Sequence, residues 1–262
     1  KMKNKITLLT LVFTLISFVG YSQKTVNAED IIRDINNGKD ISISNATIEG
    51  TLDFTDMEEK LKDLPKRKKK WWNNGGDNMV KNRIEVNISF TNCTFKDDVW
   101  AYYPDSEDSG YTFTASFYEN AIFKDCTFER KAMFKYSDFD KKSSFENTEF
   151  QDDSTFKYAK FKNEISFANT NFENEATFKY AEFRTFISFE NSIFEESATF
   201  KYSKFKDGVS FKKVHFKEDL NIKYTEVRGE FIISGMKVDY DIDSKYTKIN
   251  GSGFNKYLLK NQ

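Results

Sequence analysis

The chain has 262 residues, enough for one large domain or two small ones, and its composition is lopsided, with 28 Phe, only 2 Pro and 31% charged residues. So much aromatic mass at so little Pro excludes a disordered or collagen-like chain. The 40 Lys and Arg against 41 Asp and Glu produce too weak a net field to name a partner.

Lys3 and Lys5 precede an apolar run from Ile6 to Val19, and Gly20 and Ser22 place small residues where a signal peptidase reads. At about 14 residues the run is shorter than the roughly 20 a bilayer span needs. It reads as a cleavable secretory leader over 1–22, cut after Ser22. No Cys lies near the cut, so no lipid anchor is expected there. The expected destination is the periplasm, the cell surface or the medium. Loss of Lys1, Lys3 and Lys5 with the leader leaves 37 basic against 41 acidic residues.

Residues 23–38 are expected to form an N-terminal capping helix. Asn27, Ala28 and Glu29 lead into DIIRDINNGKD, which has an N-cap residue, apolar residues at helical spacing and Gly38 at the stop. A repeat region is expected over 39–252. It opens in ISISNATIEGTLDF, with Ile43, Ile48 and Phe54 in ladder positions, breaks off near Met57 and resumes near Ile88 and Phe90. The first insertion, at about 58–83, contains Lys66, Arg67, Lys68, Lys69 and Lys70 followed by Trp71 and Trp72. A second, acidic and Tyr-bearing, is AYYPDSEDSGY at 101–111. FNKYLLKNQ, within 253–262, is expected to form a short C-terminal cap.

From Phe117 to Phe216 a Phe recurs at alternating steps of six and five residues, as in Phe123, Phe128, Phe134, Phe139, Phe145 and Phe150. An α-helix repeats at 3.6 and a strand at 2, so neither accounts for this rhythm. The similarity closes at 22 residues: FKYAKFKNEISFANTNFENEAT from Phe156 is followed by FKYAEFRTFISFENSIFEESAT from Phe178. Small or modest residues such as Ala159, Thr170, Ala176 and Ala181 stand two places before the Phe. In an extended segment residues i and i−2 share a side, so each face sends a small residue and a Phe inward. Four faces make one coil, and eight or nine coils make a rod about 40 Å long at about 4.8 Å per coil. Such stacked units bury their apolar side only against their neighbours.

These units resemble the pentapeptide-repeat family, whose repeats read Ala, polar, Phe or Leu, polar, polar. The resemblance covers about residues 39 to 249 and implies an all-β fold, a right-handed quadrilateral parallel β-helix. The chain departs from the family in its sixth residue on alternate faces, expected to bulge at a corner, and in its preference for Phe over Leu.

Loops on a rigid scaffold commonly carry function. Lys66, Arg67, Lys68, Lys69, Lys70, Trp71 and Trp72 are therefore the first candidate for partner binding, cations giving long-range attraction and indoles contact area. The expected partner is a protein, a glycan or an envelope component, with peripheral membrane contact through this loop and no nucleic acid. Stacked coils would also align Tyr136, Tyr158, Tyr180, Tyr202 and Tyr224 in one aromatic row, a second candidate, although covering a corner is the plainer reading of such a row. Asn147, Asn169 and Asn191 form another row, read as amides bonding coil to coil. Cys93 and Cys126 both take the inward small position and stack one coil apart. In-register parallel neighbours orient poorly for bridging, so two buried free thiols are expected, with a disulfide as the alternative.

No catalytic, cofactor or metal site is expected. His215 is the sole histidine, two Cys make no cluster, and the carboxylates lie on ladders that alternate with Lys. The reading is an exported, non-catalytic binding or scaffold protein, with capped ends that favour a monomer. A polysaccharide-acting β-helix enzyme is one alternative. The family resemblance suggests another, a DNA-mimicking topoisomerase inhibitor, which the leader and the near-neutral charge disfavour.

Overall fold

A computed structural model describes residues 24–64, 78–103 and 110–255. The segment read as a leader, the basic Trp-bearing segment Lys66 to Trp72 and the tail after Asn255 lie outside these residues. The described chain winds through in-register parallel strands that build four faces. Each strand is mostly two residues long. Its first or second residue is buried, and its partner lies 22 places on, as in Ala176↔Ala198, Lys160↔Glu182 and Phe172↔Phe194. The third face alone contains eight strands, from Leu52–Asp53 to Ile242–Asp243, and so counts eight coils.

The alternation of five and six has a direct backbone cause. Five-residue steps turn through four residues closed by one hydrogen bond, such as Ala181 N to Phe178 O at 2.9 Å and Ser192 N to Phe189 O at 3.1 Å. Six-residue steps turn through open bends at Asp152, Asn163 and Asn174, where the sixth residue is accommodated. The tight corners join the first face to the second and the third to the fourth, and are therefore diagonally opposite.

Inside, the Phe ladder fills the bore. Rings in one column lie parallel one coil apart, as for Phe145 and Phe167 at 5.0 Å and Phe167 and Phe189 at 5.2 Å. Neighbouring columns meet edge to face, as for Phe156 and Phe167 at 5.0 Å and 81°. Offset stacking and edge contacts are the two favourable arrangements of the ring quadrupole, and the coil supplies both. At the Asn corner the small inward hydroxyls bond the coil before: Thr170 Oγ1 donates to Phe145 O at 2.7 Å and Ser192 Oγ to Phe167 O at 2.6 Å, whereas those of Ser137, Ser143 and Ser154 are buried without a partner. For Thr170 and Ser192 this removes the cost of burying a hydroxyl unpaired.

The N-terminal end departs from the expectations in three places. Lys24–Asn27 is a strand paired with Ile41–Glu49, so the β-structure begins before the helix and the cap is not helical from residue 23. The helix α1 spans Ala28–Asn36, and the Asn27 side chain caps it by accepting from Glu29 N at 2.8 Å. Its Ala28, Ile31 and Ile35 cover the first coil. The rhythm also resumes earlier than Ile88, because Met79–Ile84 pairs with Thr112–Phe117 and sets Ile84 in the Phe117 column. The first insertion accordingly stops short of 83 and begins with a second helix, α2, at Met57–Asp63. In the second insertion Tyr102–Tyr103 runs antiparallel to Thr112–Phe117. At the far end Phe254 is buried against Phe231.

A lysine and tyrosine corner as the candidate functional site

The two tight corners share a backbone requirement. The third residue of each turn has positive φ, a conformation that Gly or Asn enters cheaply and a bulky side chain does not. At one corner the occupants are Asn45, Asn92, Asp125, Asn147, Asn169 and Asn191, at φ of 52 to 58°. Their amides chain along the rod: Asn169 Nδ2 donates to Asn147 Oδ1 at 3.0 Å, and Asn191 Nδ2 to Asn169 Oδ1 at 3.1 Å. At the opposite corner the same position is held by Tyr136, Tyr158, Tyr180, Tyr202, Tyr224 and Tyr246, at 58 to 64°.

The five tyrosines picked out by their spacing are thus brought into one row, and Tyr246 extends it. Successive rings stack at 4.7 to 4.9 Å, within 9° of parallel from Tyr136 to Tyr224. Tyr102 leans on the first ring at 6.0 Å. Because each face meets the next ring, the row shows solvent its edges and hydroxyls. Exposure reaches 36% at Tyr180 and 59% at Tyr246.

Sequence reasoning on Tyr alone missed the residue before it. Lys135, Lys157, Lys179, Lys201, Lys223 and Lys245 repeat with the coil, a signal present in the recurring FKY. The Nζ atoms lie over their own tyrosines, at 4.9 Å for Lys135, 5.4 Å for Lys157, 5.5 Å for Lys179 and 5.2 Å for Lys201. Lys135 also accepts no acid: it donates to Tyr102 Oη at 3.0 Å. Lys223 pairs with Asp243 at 2.8 Å. Among the described residues, Lys135, Lys157, Lys179 and Lys201 have no carboxylate partner. Burial, then the like charges of Lys135 and Lys179, hold the Lys157 ammonium below its ordinary range.

Apart from Asp243, the acids on the fourth face beside the row are engaged elsewhere. Asp138 faces Lys81 at 3.0 Å, Glu182 takes Lys206 at 2.7 Å and Arg184 at 3.2 Å, and Glu226 takes Arg228 at 2.8 Å. On the other flank the outward residues are Thr155, Thr177 and Thr199, which are neutral. The corner is therefore a straight strip of ammonium, phenol and hydroxyl groups.

Cys93 and Cys126 are buried and free. They occupy the position that Thr148 and Thr170 hold in later coils, and Cys126 Sγ points to Phe90 O at 3.6 Å as Thr148 Oγ1 does to Phe123 O at 2.9 Å. The neighbouring Cys93 thiol, together with burial, pushes Cys126 above the ordinary thiol range, while Cys126 draws Cys93 below it. At the N-terminal end a groove of about 850 Å³ between α1, α2 and Trp100 is lined by acids including Glu29, Glu49, Asp53 and Glu59. Burial raises the Asp53 carboxyl although Thr55 donates to it twice. Among the described residues no three His, Cys, Asp or Glu side chains are grouped to hold a metal ion. His215 is bonded to Asp239 at 2.8 Å on the outer surface.

A protein-family model described as pentapeptide repeats (9 copies) matches residues 113–160 and again 156–204. No curated protein and no solved structure matches the chain. The matched segment holds the most regular coils, and the same in-register pairing continues from it to Lys24–Asn27 on one side and Lys248–Ile249 on the other. Residues 113–204 of the chain are pentapeptide repeats.

Proposed function

We propose that this protein is an exported, non-catalytic scaffold that binds its partner along the outside of the rod. The observation that carries the reading is the contrast between two corners of like backbone, one closed by its own amide bonds and the other lined with lysines of which Lys135, Lys157, Lys179 and Lys201 form no ion pair among the described residues. A surface organised by the coil repeat needs no lid and no convergent acid pair. Several carboxylates of the long faces are engaged in ion pairs, such as Glu195 with Lys217 and Glu182 with Lys206, consistent with a structural duty. Export rests on the leader at 1–22, and the basic Trp-bearing segment Lys66 to Trp72 remains the second binding element of this reading.

The test is fractionation of producing cells, with and without residues 1–22, followed by sedimentation of the purified protein with envelope material. Export predicts a product shortened near Ser22 outside the cytoplasm and co-sedimentation with the envelope. Full-length product retained in the cytoplasm, or no envelope association, contradicts it. Deleting residues 65–77 in the same assay divides the binding between that segment and the rod.

A further inference from the structure

We infer that the Lys135 to Lys201 strip is a binding site for a linear acidic polysaccharide lying along the rod axis. This rests on the scaffold reading and names the ligand class of its outer surface.

Three observations lead there. The first is charge: four half-buried lysines at one corner repeat with the coil, and among the described residues none of them forms an ion pair, Asp243 acting on Lys201 only from its pair with Lys223. The flanking acids are turned to Lys81, Lys206 and Arg184 on the fourth face. A like-charged row of this kind is relieved by an anion that spans it, and the depressed Lys157 agrees with that. The second is straightness. Tyr-to-Tyr steps of 4.7 to 4.9 Å with nearly parallel rings mean that the strip neither curves nor twists appreciably over the lysine-bearing coils. An extended polymer with regular carboxylates can stay on such a strip, whereas the phosphates of a duplex wind away from it. The third is which part of the tyrosine is available. Single-stranded nucleic acid binds by stacking bases on aromatic faces, and here those faces are already stacked on one another. What remains are phenol hydroxyls and ring edges, beside Thr155, Thr177 and Thr199. Hydroxyls beside ammonium groups suit a ligand rich in hydroxyls and carboxylates.

The four lysines span three coil steps, about 14 Å at about 4.8 Å per step. Affinity should therefore climb with oligomer length until the ligand covers that distance and then level off, as multivalent contact requires. It should fall with added salt, since the charges are near the surface.

The experiment is affinity electrophoresis of the purified protein through gels containing polygalacturonate, with fully methyl-esterified polymer and single-stranded and duplex DNA as comparison probes. The principal variant is Lys157→Ser, Lys179→Ser, Lys201→Ser. Its control is Lys124→Ser, Lys212→Ser, Lys213→Asn, which removes the same charge from the opposite corner. Urea unfolding of both verifies that the fold is kept, and Lys→Arg at 157, 179 and 201 tests charge without loss of it. The expected result is retardation by polygalacturonate, at least tenfold weaker in the strip variant, preserved in the control and the Arg variant, and absent with the esterified polymer. Equal loss in the control, or no retardation of the wild type, overturns the inference. If wild type is not retarded yet still sediments with envelope material, the scaffold reading survives without it. Tighter retention of DNA through the same three lysines would also overturn the assignment to a polysaccharide.

Discussion

The Asn corner and the Tyr corner solve the same geometric problem with different chemistry. Both close a four-residue turn on a residue of positive φ, and both repeat once per coil. Asn is suited to the left-handed region, and its amide bonds the next coil, so that corner explains itself. Tyr is not suited to it, and the row recovers the cost by ring stacking, worth about 0.5–1.5 kcal/mol per pair. This row, whose backbone would accept Asn at lower cost and whose Lys135, Lys157, Lys179 and Lys201 form no ion pair among the described residues, is the surface that the proposed function assigns to contact outside the rod. The lesson is that in a repeat protein the functional face is found where the repeat departs from its cheapest local solution.

The largest expected effect tests whether the two corners rest on equal foundations. Phe156 precedes the Tyr corner and Phe167 the Asn corner, both fully buried and stacked above and below. Phe156→Ala and Phe167→Ala should each cost about 3–5 kcal/mol in urea unfolding. A clear inequality would mean that the corners differ in packing and not only in chemistry. Next, Asn169→Ala removes two amide bonds and puts a side chain with no left-handed preference at φ 56°. A loss of about 2–3 kcal/mol is expected from the midpoint shift. A smaller change is predicted for Cys126→Thr, which swaps the thiol for the hydroxyl that Thr148 and Thr170 use at the same turn position. Stability should move by under about 1 kcal/mol, and unfolding the wild type should be required before either thiol reacts with maleimide. The smallest effect belongs to Lys179→Ser, which relieves like-charge repulsion at the surface: no loss of stability, and a gain of at most about 0.5 kcal/mol.

Much of this was legible in the sequence because the Phe ladder is a steric device. A ring every five or six residues leaves few other ways to fill a narrow bore, so the four faces, the inward small residues and the five-Tyr row could be read directly. The N-terminal departures were not legible, since KTVN and MVKNRI form strands without a Phe to mark the rhythm. Positive φ at Tyr was hidden for the opposite reason: the side chain argues against it locally, and the coil imposes it. The alternation of Asp138, Lys160 and Glu182 along the rod was legible, but the ion pairs of its carboxylates, which run to Lys162, Lys206 and Arg184, were not.

The most direct test of the central claim, that the Tyr corner serves the surface while the Asn corner serves the fold, is urea unfolding of the triple variant Tyr158→Asn, Tyr180→Asn, Tyr202→Asn. Lost stacking and relieved backbone strain should nearly cancel, leaving one cooperative transition within about 2 kcal/mol of wild type. A collapse of cooperativity, or a loss far beyond that figure, would show that the tyrosines hold the coil together and contradict the account.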